Sequence, residues 1–431
     1  MRLVSWIFAC GLPLLVRSDA NDYLKQAIAL MEECPLLDTH IDLPQIIRSL
    51  HRKPLDAVRL LNVTFPGHVD IPRMREGRLG GAFWTVWAPC PDVAGGDPGV
   101  DFLAPTHHLR DALEMVDIIQ AMIAQHPEHL QYARSSADVW GAFRNGRIAS
   151  LIGMEGTHML GNSLGALRVF AQLGVRYLTL THTCHSAFAS ATAWRAGSAE
   201  PPGVVHEGNG LSDLGVELVK ELNRVGILVD LSHTSTETMR QAINVSVAPV
   251  VWTHAGARAV WDHPRNVPDD ILKLIGDGDG QKDGVVQSVF FPHFIGQYPG
   301  VNVSHVVDHM EHIASKIGRS RVGIASDFDG MYITVDGLED ASKYPNIVAE
   351  LLFRGWTPDE VRGAMGGNLM RIMDKVDAVS EQLKDRLPSS AIWEKRSDLP
   401  STEWGGGGVD MYWPPEVKTA VKKMVQYHDE L

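Results

Sequence analysis

Residues Ser212 to His254 read SDLGVELVKELNRVGILVDLSHTSTETMRQAINVSVAPVVWTH. Ser212 is a helix N-cap residue, apolar side chains recur at three- and four-residue spacing from Asp213 to Val225, and Gly226 stops the pattern. The short run Ile227 to Leu231 is rich in residues that favour strands, and His233 follows it. A second helical stretch from Thr236 to Asn244 leads to another such run, Pro249 to Thr253, which ends in His254. The segment reads as helix, strand, helix, strand, with a histidine delivered at the end of each strand.

The same alternation recurs along the chain on both sides of this segment. The other candidate strands are Pro35 to Thr39, Ala82 to Trp87, Ile148 to Gly153, Arg176 to Thr181, Val285 to Phe291 and Arg321 to Ala325, eight in all. Further helices include Leu109 to Gln125, Ala137 to Asn145, Ser163 to Leu173 and His305 to Ile317. Strands alternating with helices make a parallel sheet, and eight of them predict a closed (β/α)8 barrel of the TIM type. Beyond about Val376 the alternation stops. The expected organisation is a leader at 1–20, a barrel at 21–379 and a C-terminal extension at 380–431 that wraps on the barrel.

A chain of 431 residues with 45% hydrophobic and 21% charged side chains can bury a large core, which excludes a disordered, collagen-like or coiled-coil protein. The formal charge of -13 opposes nucleic acid or an anionic membrane surface as a partner, because either needs a basic footprint. Small-molecule chemistry is the remaining expectation.

In such a barrel, residues just past the carboxyl ends of the strands face the active site. The first strand runs into His40-Ile41-Asp42, where alternation puts His40 and Asp42 on one side of an extended backbone. The third leads to Glu155, the fourth to His182, the fifth to His233, the sixth to His254 and the eighth to Asp327. Any one of these histidines is more often a satisfied core or surface residue than a ligand. Their joint placement carries the argument. His40, His233 and His254, with Asp42 and Glu155, would meet at the barrel mouth, where so many polar groups are costly without a cation. Three imidazoles and two carboxylates can hold two divalent ions if one carboxylate bridges them. A set without thiolate suits zinc, with manganese or cobalt as substitutes. Two adjacent ions lower the pKa of a shared water and polarise a carbonyl, which is the chemistry of metal-assisted hydrolysis.

The N-terminus joins Arg2 to an apolar run from Leu3 to Val16 and small residues at Ser18 and Ala20, the pattern of a secretory signal peptide removed near Asn21. That run is too short to span a bilayer, so no membrane anchor is expected. The last four residues, His428-Asp429-Glu430-Leu431, form a tetrapeptide that a retrieval receptor reads to return lumenal proteins to the endoplasmic reticulum. The expected location is the lumen of that compartment, with secretion as the alternative. Sequons at Asn62, Asn244 and Asn302 fit glycosylation there. Cys10 leaves with the leader, so Cys34, Cys90 and Cys184 remain for one disulfide and one free thiol.

Seven segments in this order resemble the membrane (renal) dipeptidase family of the amidohydrolase superfamily: Asp38-Thr-His-Ile-Asp-Leu-Pro44, Ile152-Gly-Met-Glu-Gly156, Arg176-Tyr-Leu-Thr-Leu-Thr-His-Thr-Cys184, Gly208-Asn-Gly-Leu211, Val229-Asp-Leu-Ser-His233, Arg265-Asn-Val-Pro-Asp-Asp270 and Ser326-Asp-Phe-Asp-Gly330. The resemblance implies that His40 and Asp42 hold one zinc, that His233 and His254 hold the other, and that Glu155 bridges them. It further implies that His182 steadies the oxyanion, that Asp327 moves a proton from the bridging water to the departing amine, and that Arg265 grips the substrate's terminal carboxylate. On residues alone, Arg265 reads as a surface ion pair with Asp269 or Asp270. The family also implies a disulfide between Cys90 and Cys184, leaving Cys34 free, and commonly a homodimer. The sequence departs from the family at Ile41, where relatives commonly carry Asn, a change that bears on how the end of the first strand is hydrogen-bonded.

The leading expectation is a binuclear zinc dipeptidase that cleaves the peptide bond of dipeptides with a metal-bridging hydroxide. Implied substrates include cysteinylglycine units and dipeptides with a D-residue on the carboxyl side. A second reading keeps the metals and changes the substrate to a lactone, a cyclic amide or an acylated amine. A third is a catalytically inactive lumenal metal-binding protein, and the presence of all five ligands and Asp327 counts against it.

Overall fold

The computed structural model describes residues 13–50, 53–90, 108–193 and 206–393, with 414–417, 419, 420 and 423 near the C-terminus. Residues 1–12 of the expected leader and the tetrapeptide His428 to Leu431 lie outside the described residues. No helix among the described residues is long and apolar enough to cross a membrane.

All eight expected strands form: β1 (Leu36–Ile41), β2 (Leu79–Val86), β4 (Ile148–Glu155), β5 (Val175–Thr179), β6 (Leu228–Asp230), β7 (Val250–Ala255), β8 (Gly284–Ser288) and β9 (Val322–Ile324). They pair in parallel in the order β1-β2-β4-β5-β6-β7-β8-β9. Every residue of these strands is buried, because helices cover the outside and side chains fill the inside. An unexpected strand, β3 (Leu130–Tyr132), pairs with Ile148 to Ser150 at the start of β4, before β5 joins at Ile152. Three residues with a half-exposed Tyr132 carry no periodic signal.

The ring closes just beyond β9. Ile41 and Phe328 form a parallel bridge, with Asp42 N donating to Phe328 O at 2.9 Å and Asp327 N to His40 O at 3.1 Å. This is a (β/α)8 barrel of the TIM type. These main-chain bonds and the Asp38 carboxylate, which accepts from His40 N, satisfy the end of β1, and the Ile41 side chain is buried in the core.

The expected helices form within two residues of their expected bounds. Asp213–Val225 begins at Ser212, whose side chain accepts from Gly215 N, and ends at Gly226 with φ 73°. One difference lies at the N-terminus, where a helix spans Pro13–Glu33 across the expected cleavage position. From Asn21 onward it docks on the helix Tyr344–Phe353: Ala27 and Met31 are buried, and the Tyr23 ring stands edge-on to Phe353 at 5.8 Å. The other lies at the end of the barrel, where the last long helix runs Asn368–Gln382, past the expected boundary at 379. The chain then lies along the helix Asp213–Val225. Ser380 Oγ donates to Arg224 O at 2.8 Å, Ser389 Oγ donates to Glu217 Oε2 at 2.8 Å, and Trp393 is buried with its ring edge-on to His206.

Candidate metal centre

Glu155, the last residue of β4, is the hub. Its Oε1 lies 3.0 Å from His233 Nε2, 3.2 Å from His254 Nε2 and 3.6 Å from His40 Nε2. His40 Nε2 also faces Asp42 Oδ2 at 3.4 Å and Asp327 Oδ1 at 3.8 Å. His182 Nε2 stands 3.9 Å from Glu155 Oε2. The barrel therefore brings His40, Asp42, Glu155, His182, His233, His254 and Asp327 to one place from β1, β4, β5, β6, β7 and the turn after β9. Their potential ligand atoms form overlapping groups: His40 with Glu155 and His254, Glu155 with His182 and His233, and His40 with Asp42 and Asp327.

The donor set fits divalent cations. His40 Nε2 and Asp42 Oδ1 are buried without a hydrogen-bond partner. His233 Nε2 and His254 Nε2 face each other at 3.0 Å while both face the Glu155 carboxylate. So many lone pairs turned inward are costly unless a cation accepts them. Imidazole nitrogen and carboxylate oxygen without thiolate suit a metal of the zinc class.

Two of the candidate ligand histidines are held from behind. Tyr177 Oη lies 3.0 Å from His40 Nδ1, and Thr253 Oγ1 lies 3.0 Å from His254 Nδ1 while donating to Asp230 Oδ2 at 2.6 Å. His233 is placed by its backbone instead, at φ 64°, with its carbonyl accepting from Thr192 N at 2.9 Å and Thr181 Oγ1 at 3.1 Å. Asp327 and Asp329 adopt positive φ as well, 62° and 67°, and such strained conformations gather where function over-determines them. Gly330 has no side chain for a reason: a Cβ there would stand 2.3 Å from Asp42 Oδ2 and 2.7 Å from Asp327 Oδ1.

Electrostatics separates the carboxyl groups. Burial alone would raise Glu155, but His40, His182, His233 and His254 hold it well below the ordinary carboxylate range. Burial, with Asp42 and Glu155 nearby, pushes Asp327 well above that range despite His40 and Arg265. Burial, with Arg265 and His40 close by, lowers His182 to about 4 against the opposing pull of Glu155, so its imidazole is neutral.

Arg265 is not a surface ion pair. Asp269 pairs with His312 and Lys316, and Asp270 with Arg240. Arg265 is buried over the Phe294 ring, with the guanidinium carbon 5.1 Å from the centroid, and its Nε and Nη1 have no partner. Burial pulls it down to about 10, so it stays charged at neutral pH. Its remaining contact is Nη2 to His254 O at 3.4 Å. Phe294 also lines the cavity above the carboxylates, about 170 Å³ in volume, together with Asp42, Glu155, His182, Asp327 and Trp87.

Cys90 and Cys184 are joined, Cα to Cα 5.9 Å, tying the loop after β2 to the loop that carries His182. Cys34 is free and buried. Of the sequons, Asn62 and Asn244 are exposed, whereas the Asn302 side chain caps the helix Val303–Ile317, accepting from Ser304 N at 3.0 Å.

Sequence reasoning passed over Tyr177, Asp230 and Asp38. Asp38 is buried beneath His40 and accepts from His40 N at 2.9 Å, Ser326 N at 3.0 Å and Tyr344 Oη at 2.6 Å. Its place two residues before His40, and Asp230 in the strand that leads to His233, were the available signals. Nothing in the sequence singles out Tyr177.

Comparison with known proteins places the chain in a family. The sequence profile of the membrane dipeptidase family, peptidase family M19, matches residues 24–387. The dipeptidase verJ of Clonostachys rogersoniana is 40% identical over 366 residues, 85% of this chain and 90% of that protein. The probable dipeptidase PvdM of Pseudomonas aeruginosa shares the fold, with a TM-score of 0.72 at 24% identity over 83% of this chain and 99% of that one. A metallopeptidase of Rhodobacter sphaeroides, solved with a phosphinate mimic of the dipeptide L-Ala-D-Ala, superposes with a TM-score of 0.68 at 25% identity, covering 80% of this chain and 99% of that one. The chain belongs to the membrane dipeptidase family, peptidase family M19, a family of metallo-dipeptidases.

Proposed function

We propose that the protein is a binuclear zinc dipeptidase that hydrolyses the single peptide bond of dipeptides, including those with a D-residue on the carboxyl side. The observation that carries this reading is the Glu155 carboxylate placed among His40, His233 and His254, with Arg265 donating Nη2 to His254 O while its Nε and Nη1 have no partner. His40 and Asp42 would hold one ion, His233 and His254 the other, with Glu155 between them. When bound, such a pair supplies a water of lowered pKa and a Lewis acid for the peptide carbonyl.

The chain's own residues do the rest. Neutral His182 donates a hydrogen bond to the carbonyl oxygen as charge develops on it. Asp327, poised high by burial, takes the proton of the attacking water and returns it to the departing amine nitrogen. Arg265 grips the terminal carboxylate, which fixes register and selects a free C-terminus. A cavity of about 170 Å³ lies below the roughly 300–1,000 Å³ of common ligand pockets, which favours a short substrate. The phosphinate complex of the Rhodobacter sphaeroides relative supports acceptance of the D-residue.

Purified protein offered a dipeptide panel is expected to lose turnover with a chelator and regain it with zinc. Turnover that ignores the chelator, or never appears on zinc-loaded protein, overturns the proposal. Glu155→Gln is expected to lower activity at least 10³-fold together with metal content, and a Glu155→Gln protein that keeps both contradicts the bridging role.

We propose further that the protein works in the lumen of the secretory pathway and is retrieved to the endoplasmic reticulum. The Cys90–Cys184 disulfide and the exposed Asn62 and Asn244 sequons support this. Protein from its native cells should shift in mobility with an endoglycosidase specific for high-mannose glycans, and the Asn62→Gln/Asn244→Gln variant should not. Unglycosylated native protein counts against it.

A further inference from the structure

Tyr177 lies in the middle of β5, buried, with its hydroxyl between two residues of other strands: His40 Nδ1 at 3.0 Å and Thr85 Oγ1 at 3.4 Å. The ring also has a space made for it. A Cβ at Gly153 on the neighbouring β4 would stand 2.1 Å from the Tyr177 ring and 2.5 Å from its oxygen. Gly153 is not among the glycines with positive φ, so the close approach of the ring is what this position requires. Gly153 and Glu155 stand on the same β4 segment, two residues apart. The strand that presents the central carboxylate therefore also opens the slot for the phenol.

We infer that Tyr177 is a positioning residue of the metal centre, which selects the tautomer of His40. This inference rests on the metal reading given above. His40 Nε2 faces Glu155, Asp42 and Asp327 and must offer a lone pair there to bind a cation. The ring proton then belongs on Nδ1, where the Tyr177 oxygen accepts it, and the phenol proton points toward Thr85. Without that oxygen the Nδ1–H would be buried with no acceptor. The other tautomer would put a proton on Nε2, where the ion must sit. His254 has the same provision from Thr253, whereas His233 Nδ1 has no partner and relies on its backbone. Tyr177 thus acts on the ion that His40 and Asp42 would hold.

Tyr177→Phe removes one oxygen and leaves the ring in its slot, so it tests the tautomer directly. Zinc affinity of both sites would be measured by competition with a chromophoric chelator, with thermal unfolding of metal-free and metal-loaded protein beside it. The expected result is roughly 10- to 100-fold weaker binding at one site, with the other site within about 3-fold of wild type. The metal-free protein should melt as wild type does, while the rise in Tm on loading shrinks. Two unchanged affinities would overturn the inference. So would a loss of metal-free stability with no change in affinity, which is what a purely structural hydroxyl would give. Wild-type protein that takes up no divalent ion would instead overturn the metal reading on which this rests.

Discussion

Neither Nε nor Nη1 of Arg265 finds an acceptor, and the residue is 1% exposed. A buried guanidinium in that condition costs several kcal/mol, and the fold tolerates it because a substrate carboxylate would supply what is missing. Arg265→Met keeps the volume and removes the charge. Its Tm should equal or exceed that of the wild type, while kcat/KM for free-carboxylate dipeptides falls roughly 100-fold or more, the loss of a charged, hydrogen-bonded contact. Steady-state kinetics on a dipeptide and its C-terminal amide checks this: the variant should lose most of the discrimination between them, and an unchanged ratio refutes the assignment. The sequence could not reveal this residue by itself, because the Asp269 and Asp270 beside it in sequence turn out to serve His312, Lys316 and Arg240. The candidate ligands were legible for the opposite reason. His40, Glu155, His233 and His254 lie in or just after strands, and a strand's direction is encoded locally.

At the scale of elements, the helix Val303–Ile317 is fastened to the catalytic face through His309. Its Nδ1 accepts from Ala257 N at 2.8 Å and its Nε2 donates to Ile295 O at 2.9 Å, bonds that require a neutral ring. Burial lowers this imidazole to about 4, from 6.5 for the free group. The unfolded chain therefore takes up the proton first on acidification. The contribution of His309 is complete above about pH 6.5 and is lost progressively as pH falls toward 4, on the order of 3 kcal/mol in all. His309→Gln, which can keep one donor and one acceptor, should flatten that part of the stability profile, as urea denaturation across pH 4 to 7 would show. Parallel slopes for the two proteins would disprove it. Long elements of this kind were readable from capping and periodicity, as Ser212, Gly226 and the runs between them show. The strand β3 and the extent of Asn368–Gln382 were not, since the one is too short for a period and the other lies beyond the last strand, where no following strand marks its end.

At the scale of the molecule, the Cys90–Cys184 link closes a loop of 94 residues, worth ~4–5 kcal/mol in the chain-entropy picture. It also anchors the loop of His182, since Cys90 Sγ lies 4.0 Å from His182 Nδ1. Reduction should lower the unfolding free energy measured in urea by that margin and reduce turnover, and an unchanged free energy would show that the cross-link does not constrain the unfolded chain. The seam of the barrel has a different consequence. Asp42 and Asp327 sit on the two strand ends that meet there, and Asp38 clasps Ser326 across 288 residues of sequence. The catalytic centre therefore comes into being only when the first and last strands of one chain find each other. A nascent or clipped polypeptide that lacks β1 or β9 therefore has no latent peptidase to release, and competence for the reaction reports that both strands have been made and paired.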